Sequence, residues 1–240
     1  MKGNRKELKL FGEFTQRFST FTQKVLLGKV GGMSLRIVKK QNRLSGGNFQ
    51  SISPAAIIAP TARVWEFTQV RENAIIGDKS VISSYVYVDT NVQIGKNCKI
   101  QNRALIYDPA IIHDGVFIGP GAILTNDKNP RSVTIIGELK GSNDWEKTGV
   151  EIFEGASIGA GAICVGPLVI GKWALIGAGS VVTKDVKAYA IVIGNPARQV
   201  GWVGPSGMRL DKISEQIYKC PATSREYELI NLELHEILQK

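Results

Sequence analysis

The chain has 240 residues, 43% of them hydrophobic, with 26 glycines and a formal charge of +9, enough apolar material for one repetitive domain with flanking pieces. No apolar run approaches the eighteen or so residues of a membrane span, no secretory signal is expected, and three cysteines without a CxxC pair argue against a disulfide framework or a zinc site; the default expectation is a cytoplasmic protein. The charge does not point to nucleic acid, because eleven basic residues and two acids precede residue 51, so the whole excess lies in the leader and the remainder is neutral.

Within that leader, residues 1–50, Phe11, Phe14, Phe18, Phe21 and Val25 fall at helical spacing and Gly28 offers a stop. Residues 8–27 therefore read as an amphipathic helix. A phenylalanine stripe of this kind is usually a buried face, docked on the body of the protein or on a neighbouring subunit. A peripheral contact with an anionic membrane is the alternative.

From Ile58 the apolar residues keep a period of six. Val64, Val70, Ile76, Ile82, Val88, Ile94, Ile100, Ile106, Ile112, Ile118 and Leu124 are in phase, and the beat resumes at Ile152, Ile158, Cys164, Ile170, Ile176 and Val182. Four residues after each sits mostly a small or β-branched residue, such as Ala62, Ala74, Ala104, Ala122 and Ala174. Six fits neither a helix nor an alternating strand, so this is a structural repeat. The fold it predicts is an all-β parallel β-helix over 51–203, with an aliphatic residue pointing inward from each short strand and the small residue letting the chain turn. Three hexads close a triangular coil, and about six coils stack at the roughly 4.8 Å spacing of hydrogen-bonded strands. Such a solenoid needs caps; the tail, 204–240, is expected to be helical. Cys98 and Cys164 fall on inward positions and read as core filler.

The interruption, residues 125–151, is the place to look for a site, because long insertions in compact domains are usually functional. The layer repeat puts Asn126 one coil above Asp108, so an amide and a carboxylate meet at one corner beside the loop.

Here the residues resemble a family. The hexads, the internal loop and the closing "GAGSVVTKDVKAYAIVIGNPARQVGW" (177–202) look like the left-handed β-helix acyltransferases. More narrowly, "IQNRALIYD" (100–108), the loop opening within 115–131 and "GNPARQVGWV" (194–203) resemble bacterial N-acetyltransferases of UDP- or dTDP-linked 3-amino sugars. The resemblance runs from about 52 to 210. It implies a left-handed coil, a homotrimer, acetyl-CoA as cosubstrate, no metal, a nucleotide-linked amino sugar as acceptor, and a place in surface glycan synthesis such as O-antigen or capsule. It further implies that Asn126 contacts the sugar amine or the acetyl group and that Asp108 holds the ammonium. Gln101, Asn102, Tyr107 and Arg131 match as sugar-nucleotide contacts. Coenzyme A would lie between subunits near Gly159, Ala160, Ala178, Lys184 and Arg198. One departure is Glu66 after Trp65, where many relatives carry histidine, and it bears on sugar specificity.

The chemistry agrees with an amine acceptor. A hydroxyl needs a general base, usually histidine, and the chain has two histidines, His113 and His235, both expected at the surface. An amine attacks once neutral, with a carboxylate to orient it and amides to hold the oxyanion. Two histidines also cannot supply the three zinc ligands of the carbonic anhydrases built on this fold. Two other readings are an O-acetyltransferase acting on a sugar or a lipid-linked glycan, and a non-catalytic scaffold. A scaffold needs neither the loop nor the Asn-Pro-Ala-Arg segment.

Overall fold

The computed structural model describes residues 50–237; the leader helix expected at 8–27 lies outside them. The hexads form short strands that stack into three parallel faces. Face 1 carries, in order, Ser51–Ile52, Gln69–Val70, Tyr87–Val88, Leu105–Ile106, Ile123–Leu124, Ile163–Cys164 and Val181–Val182. Face 2 rises from Ile57–Ile58 to Leu168–Ile170, and face 3 from Arg63–Val64 through Leu175–Ile176 to Ala190–Ile193. Below the loop, each residue pairs with the one eighteen positions on, as Ile106 does with Val88. The loop does not disturb this register, because Ile112 pairs with Ile152 and Leu124 with Cys164 across it. We call the edge between faces 1 and 2 corner I, between 2 and 3 corner II, and between 3 and 1 corner III.

Each hexad sends two side chains inward. From Val70 to Val182 every aliphatic or cysteine position of the beat is buried, and so are nearly all the small residues four positions later, among them Ala74, Cys98, Ala122 and Ala174. The small residue is thus not the one that turns the chain, as the sequence suggested. It fills the narrow vertex of the prism, and the turn is made one residue earlier. Three residues after most of the inward aliphatics the backbone takes a left-handed conformation, at Asn73, Asn91, Asn97, Arg103, Gly115, Gly121, Gly161 and Gly179 among others. Asparagine and glycine suit that region, whereas Phe67, Tyr85 and Trp173 occupy it against their preference. The buried polar side chains in this core are hydrogen-bonded: Ser80 Oγ donates to the Gly95 carbonyl at 2.8 Å and Thr68 Oγ1 to the Ser83 carbonyl at 2.9 Å. Burial pushes the Cys164 thiol up to about 12, so it is inert filler.

The corners are also tied between layers. At most corners the left-handed residue's amide donates to a carbonyl one layer below, as Asn91 does to Glu72, Arg103 to Ser84, Gly121 to Asn102 and Gly179 to Ala160; Lys79 donates to the Thr61 hydroxyl instead. Corner I breaks this rule twice. Pro109 and Pro167, each after a cis peptide bond, occupy that position in the layers below and above the loop, and proline has no N–H to donate.

The tail is not helical. Asp211–Lys212, Ile217–Lys219, Glu226–Ile230 and Glu233–Glu236 form a four-stranded antiparallel sheet. Its Glu/Leu-rich composition suits a helix, but the apolar side chains alternate: Tyr227 and Leu234 are buried while their neighbours are less so. Asn231 and Leu232, both left-handed, form the two-residue turn that joins the last two strands.

Layers approach closely enough at corner III to exclude a side chain. A Cβ at Gly159 would stand 2.4 Å from the Ala178 nitrogen, whereas one at Gly161 would meet nothing within 4 Å. Gly159→Ala should therefore cost about 1–3 kcal/mol by overpacking. Gly161→Asn, at a left-handed corner like that of Asn97, should stay within about 0.5 kcal/mol of wild type. Urea midpoints of the two variants check this.

Candidate active site

Corner I carries the polar cluster. Asp108 lies at its vertex, 4% exposed, at the head of an amide ladder: Asn73 Nδ2 reaches Asn91 Oδ1 at 3.4 Å, and Asn91 Nδ2 reaches Asp108 Oδ1 at 3.5 Å. One layer down, Asp89 takes the Tyr87 hydroxyl and the Thr90 amide on Oδ1, at 2.9 and 2.8 Å, and the Asp108 amide on Oδ2 at 3.3 Å. The Tyr107 ring packs tilted against Tyr87, 5.5 Å between centroids. The loop closes the cluster by sending Lys147 back: its Nζ lies 2.6 Å from Asp108 Oδ2. That hydrogen bond, and then the charge of Asp108, hold the Lys147 ammonium above the usual lysine range.

Asn126 meets Asp108 as its place in the repeat requires, but through the backbone. Its Nδ2 donates to the Asp108 carbonyl at 2.8 Å. At regular corners that carbonyl is served by an amide of the next layer; here the chain leaves into the loop and the asparagine side chain takes over. Above it, Pro167 cannot serve the Asn126 carbonyl, which instead accepts the Thr148 amide at 2.9 Å and the Thr148 hydroxyl at 3.2 Å. Thr148 thereby pins the returning end of the loop beside Lys147. Between these anchors a turn bridges Val133 to Leu139, with Ile135 and Ile136 largely exposed.

The predicted residues fall on two corners. Tyr107, Asp108 and Asn126 are together at corner I, with Lys184 on the same corner two layers above Asn126 and exposed. Arg131 is in the loop, exposed, and donates to the adjacent Pro130 carbonyl at 2.7 Å, so it does not join the cluster. Glu66, Gln101, Asn102, Gly159, Ala160 and Ala178 lie along corner III, one above another, with Arg198 in the antiparallel strand Arg198–Trp202 that caps face 3. There Ala160 and Ala178 are exposed, while close packing alone explains Gly159. The two corners are separated by face 1, about six residues or at most roughly 20 Å of extended chain. A cavity of about 540 Å³ lies elsewhere, lined by Trp202, Arg209, Lys212 and Tyr218 among others. His113 sits on corner II, its Nε2 2.9 Å from Glu151 Oε1 and its ring stacked on Phe153.

Three participants were missed from the sequence. Asp89 and Asn91 could have been found by stepping eighteen residues down from Tyr107 and Pro109. Lys147 could not, since it lies inside the insertion, where no register holds.

Residues 91–126 match the family of bacterial transferase hexapeptides with six repeats, and the match spans Asp108 and ends on Asn126. Over 63 residues, 26% of this chain, the sequence is 48% identical to a dTDP-3-amino-3,6-dideoxy-α-D-galactopyranose 3-N-acetyltransferase of Aneurinibacillus thermoaerophilus, covering 33% of that protein. Over 84 residues, 35% of the chain, it is 42% identical to the serine acetyltransferase of Escherichia coli K12, covering 30% of it. The chain thus spans about a third of the length of these relatives. Among solved structures, a Bacillus cereus protein provisionally assigned as an acetyltransferase aligns over 66% of this chain and 86% of its own with a TM-score of 0.51 at 20% identity, a likeness of fold.

Two outcomes follow from the hexapeptide corner. Asn126→Ala leaves a buried carbonyl without its donor and should lower stability by about 1–3 kcal/mol, measured by urea unfolding. The Lys147 pair sets a pH dependence: a lysine whose folded pKa is raised stabilises fully below its unfolded value near 10.4 and loses that contribution as pH rises through the folded value. The midpoint difference between wild type and Lys147→Met should therefore hold steady from about pH 7 to 9 and shrink at higher pH.

Proposed function

We propose that the protein transfers acetyl from acetyl-CoA to the amino group of a nucleotide-linked sugar, most simply the 3-amino group of a dTDP- or UDP-linked sugar destined for a surface glycan. The observation that carries this reading is Asp108: a buried carboxylate at the mouth of the loop with a cation already seated on it, which is the environment an ammonium would need. The 48% identity to an amino-sugar N-acetyltransferase over 63 residues supports the same acceptor class. His113, the one histidine of the solenoid, is engaged at corner II, which favours an amine over a hydroxyl that would require a base at corner I.

In this mechanism Asp108 binds the sugar ammonium and orients its nitrogen. After the proton passes to solvent, the lone pair attacks the thioester carbonyl. The C–N bond forms, the C–S bond breaks, and the proton that the nitrogen sheds as the amide forms is taken up by the sulfur, so that coenzyme A leaves as the thiol. Asn126 retains a second side-chain N–H and its amide oxygen for the amine or the acetyl group. The exposed backbone at Ala160 and Ala178, with Arg198, is assigned to coenzyme A. Because these stand at corner III and Asp108 at corner I, a complete site takes one corner from each of two chains, which is the reason to propose a homotrimer with sites between its subunits.

Free-thiol release from acetyl-CoA, followed with a panel of UDP- and dTDP-linked 3-amino and 4-amino sugars, tests the reading. One sugar should release thiol, and Asp108→Asn should lower its kcat/KM about a hundredfold. Acetyl-CoA binding with no turnover on any amino sugar would instead favour a hydroxyl acceptor, and no binding at all a scaffold.

A further inference from the structure

The pair at corner I is lopsided. The Asp108 side chain is 6% exposed and that of Lys147 44%. Among the described residues Lys147 is the one cation on this carboxylate, whose other side-chain contact is the long one from Asn91. A buried carboxylate stripped of its partner is costly. A half-exposed lysine returned to water loses little, because the ammonium is strongly hydrated and its stem flexible. The pair is therefore held by the need of the aspartate, and any ammonium delivered to the same oxygen meets that need equally well. Exchange does not require the loop to unfold: Thr148, next in sequence, stays pinned to the Asn126 carbonyl while the lysine side chain rotates outward. Asp89, already served by three donors, does not compete for the incoming cation.

We infer that Lys147 is the resident cation of the amine subsite, neutralising Asp108 in the free protein and exchanged, ammonium for ammonium, when an amine-bearing acceptor binds. This rests on the reading of Asp108 as the anchor of the acceptor amine, and gives Lys147 a role in specificity. A sugar with a hydroxyl in place of the amine brings no charge to replace the lysine and leaves it seated. The same occupancy weakens the apparent affinity for the amine by the fraction of time the subsite is open.

The test is a short pulse of an amine-reactive acetylating reagent on the wild-type protein, read by peptide mass spectrometry. The probes are dTDP-3-amino-3,6-dideoxygalactose and its 3-hydroxy counterpart, with binding followed in parallel by thermal shift. Lys147 should be protected in the free protein, become several-fold more reactive with the amino sugar, and stay protected with the hydroxy sugar. In Lys147→Met, which removes the internal competitor, KM for the amino sugar should fall on the order of tenfold, the change being carried by KM rather than kcat. Lys147→Arg, which keeps a cation, should show no such fall. If the amino sugar binds while Lys147 stays protected, or KM rises in Lys147→Met, the lysine is a structural clasp and the inference fails alone. If the amino sugar binds neither wild type nor Lys147→Met, the assignment of Asp108 fails and the inference goes with it.

Discussion

The described layers are fixed to one another by backbone hydrogen bonds along the faces and again at most corners, at a spacing of eighteen residues wherever no insertion intervenes. That ladder dictates the sequence beat, since an inward side chain must recur wherever a strand recurs. It also dictates the corners, since a chain that turns every six residues enters the left-handed region at most of them. The core is a consequence: two inward side chains per hexad, a large aliphatic on the face and a small residue in the vertex, fill a prism whose cross-section the ladder holds constant.

The candidate site arises where the ladder is interrupted. At corner I the prolines at 109 and 167 remove two interlayer donors, and the insertion removes the amide that would have served the Asp108 carbonyl. Side chains replace what the backbone no longer supplies: Asn126 serves Asp108, and Thr148 serves Asn126. The polar groups collected there are in the first place a repair of the solenoid. Their second consequence is chemical, because the repair holds a buried carboxylate at the base of a loop with an exchangeable cation upon it. Asn126 therefore has a structural task whatever else it does, and loss of activity on its removal has to be weighed against loss of stability.

The sequence made the repeat, its eighteen-residue layers and the proximity of Asp108 and Asn126 legible, because a ladder converts sequence distance directly into spatial neighbourhood. The same arithmetic also reaches Asp89 and Asn91. It stops where the ladder stops. Lys147, thirty-nine residues from Asp108, finds its partner through the path of a loop that has no period. The turning residue was misplaced for a different reason: smallness was read as the mark of a corner, whereas Phe67, Tyr85 and Arg103 turn the chain and the small residues lie under them. The tail was misread because its glutamates and leucines favour helix as single residues, while their alternation and the Asn231–Leu232 turn favour strands once a neighbouring strand is present.

The two prolines at corner I bear on how motion spreads through the molecule. At most other corners, lifting the chain breaks a hydrogen bond to the layer below, which couples the opening of one layer to its neighbour. Around the insertion those couplings are absent. Opening between residues 127 and 147 need break only the loop's own contacts and the Lys147–Asp108 pair, and leaves the coils above and below closed, which makes the segment a low-stability unit mounted on a rigid frame. A binding element of that kind can exchange its occupants rapidly without loosening the frame that positions them.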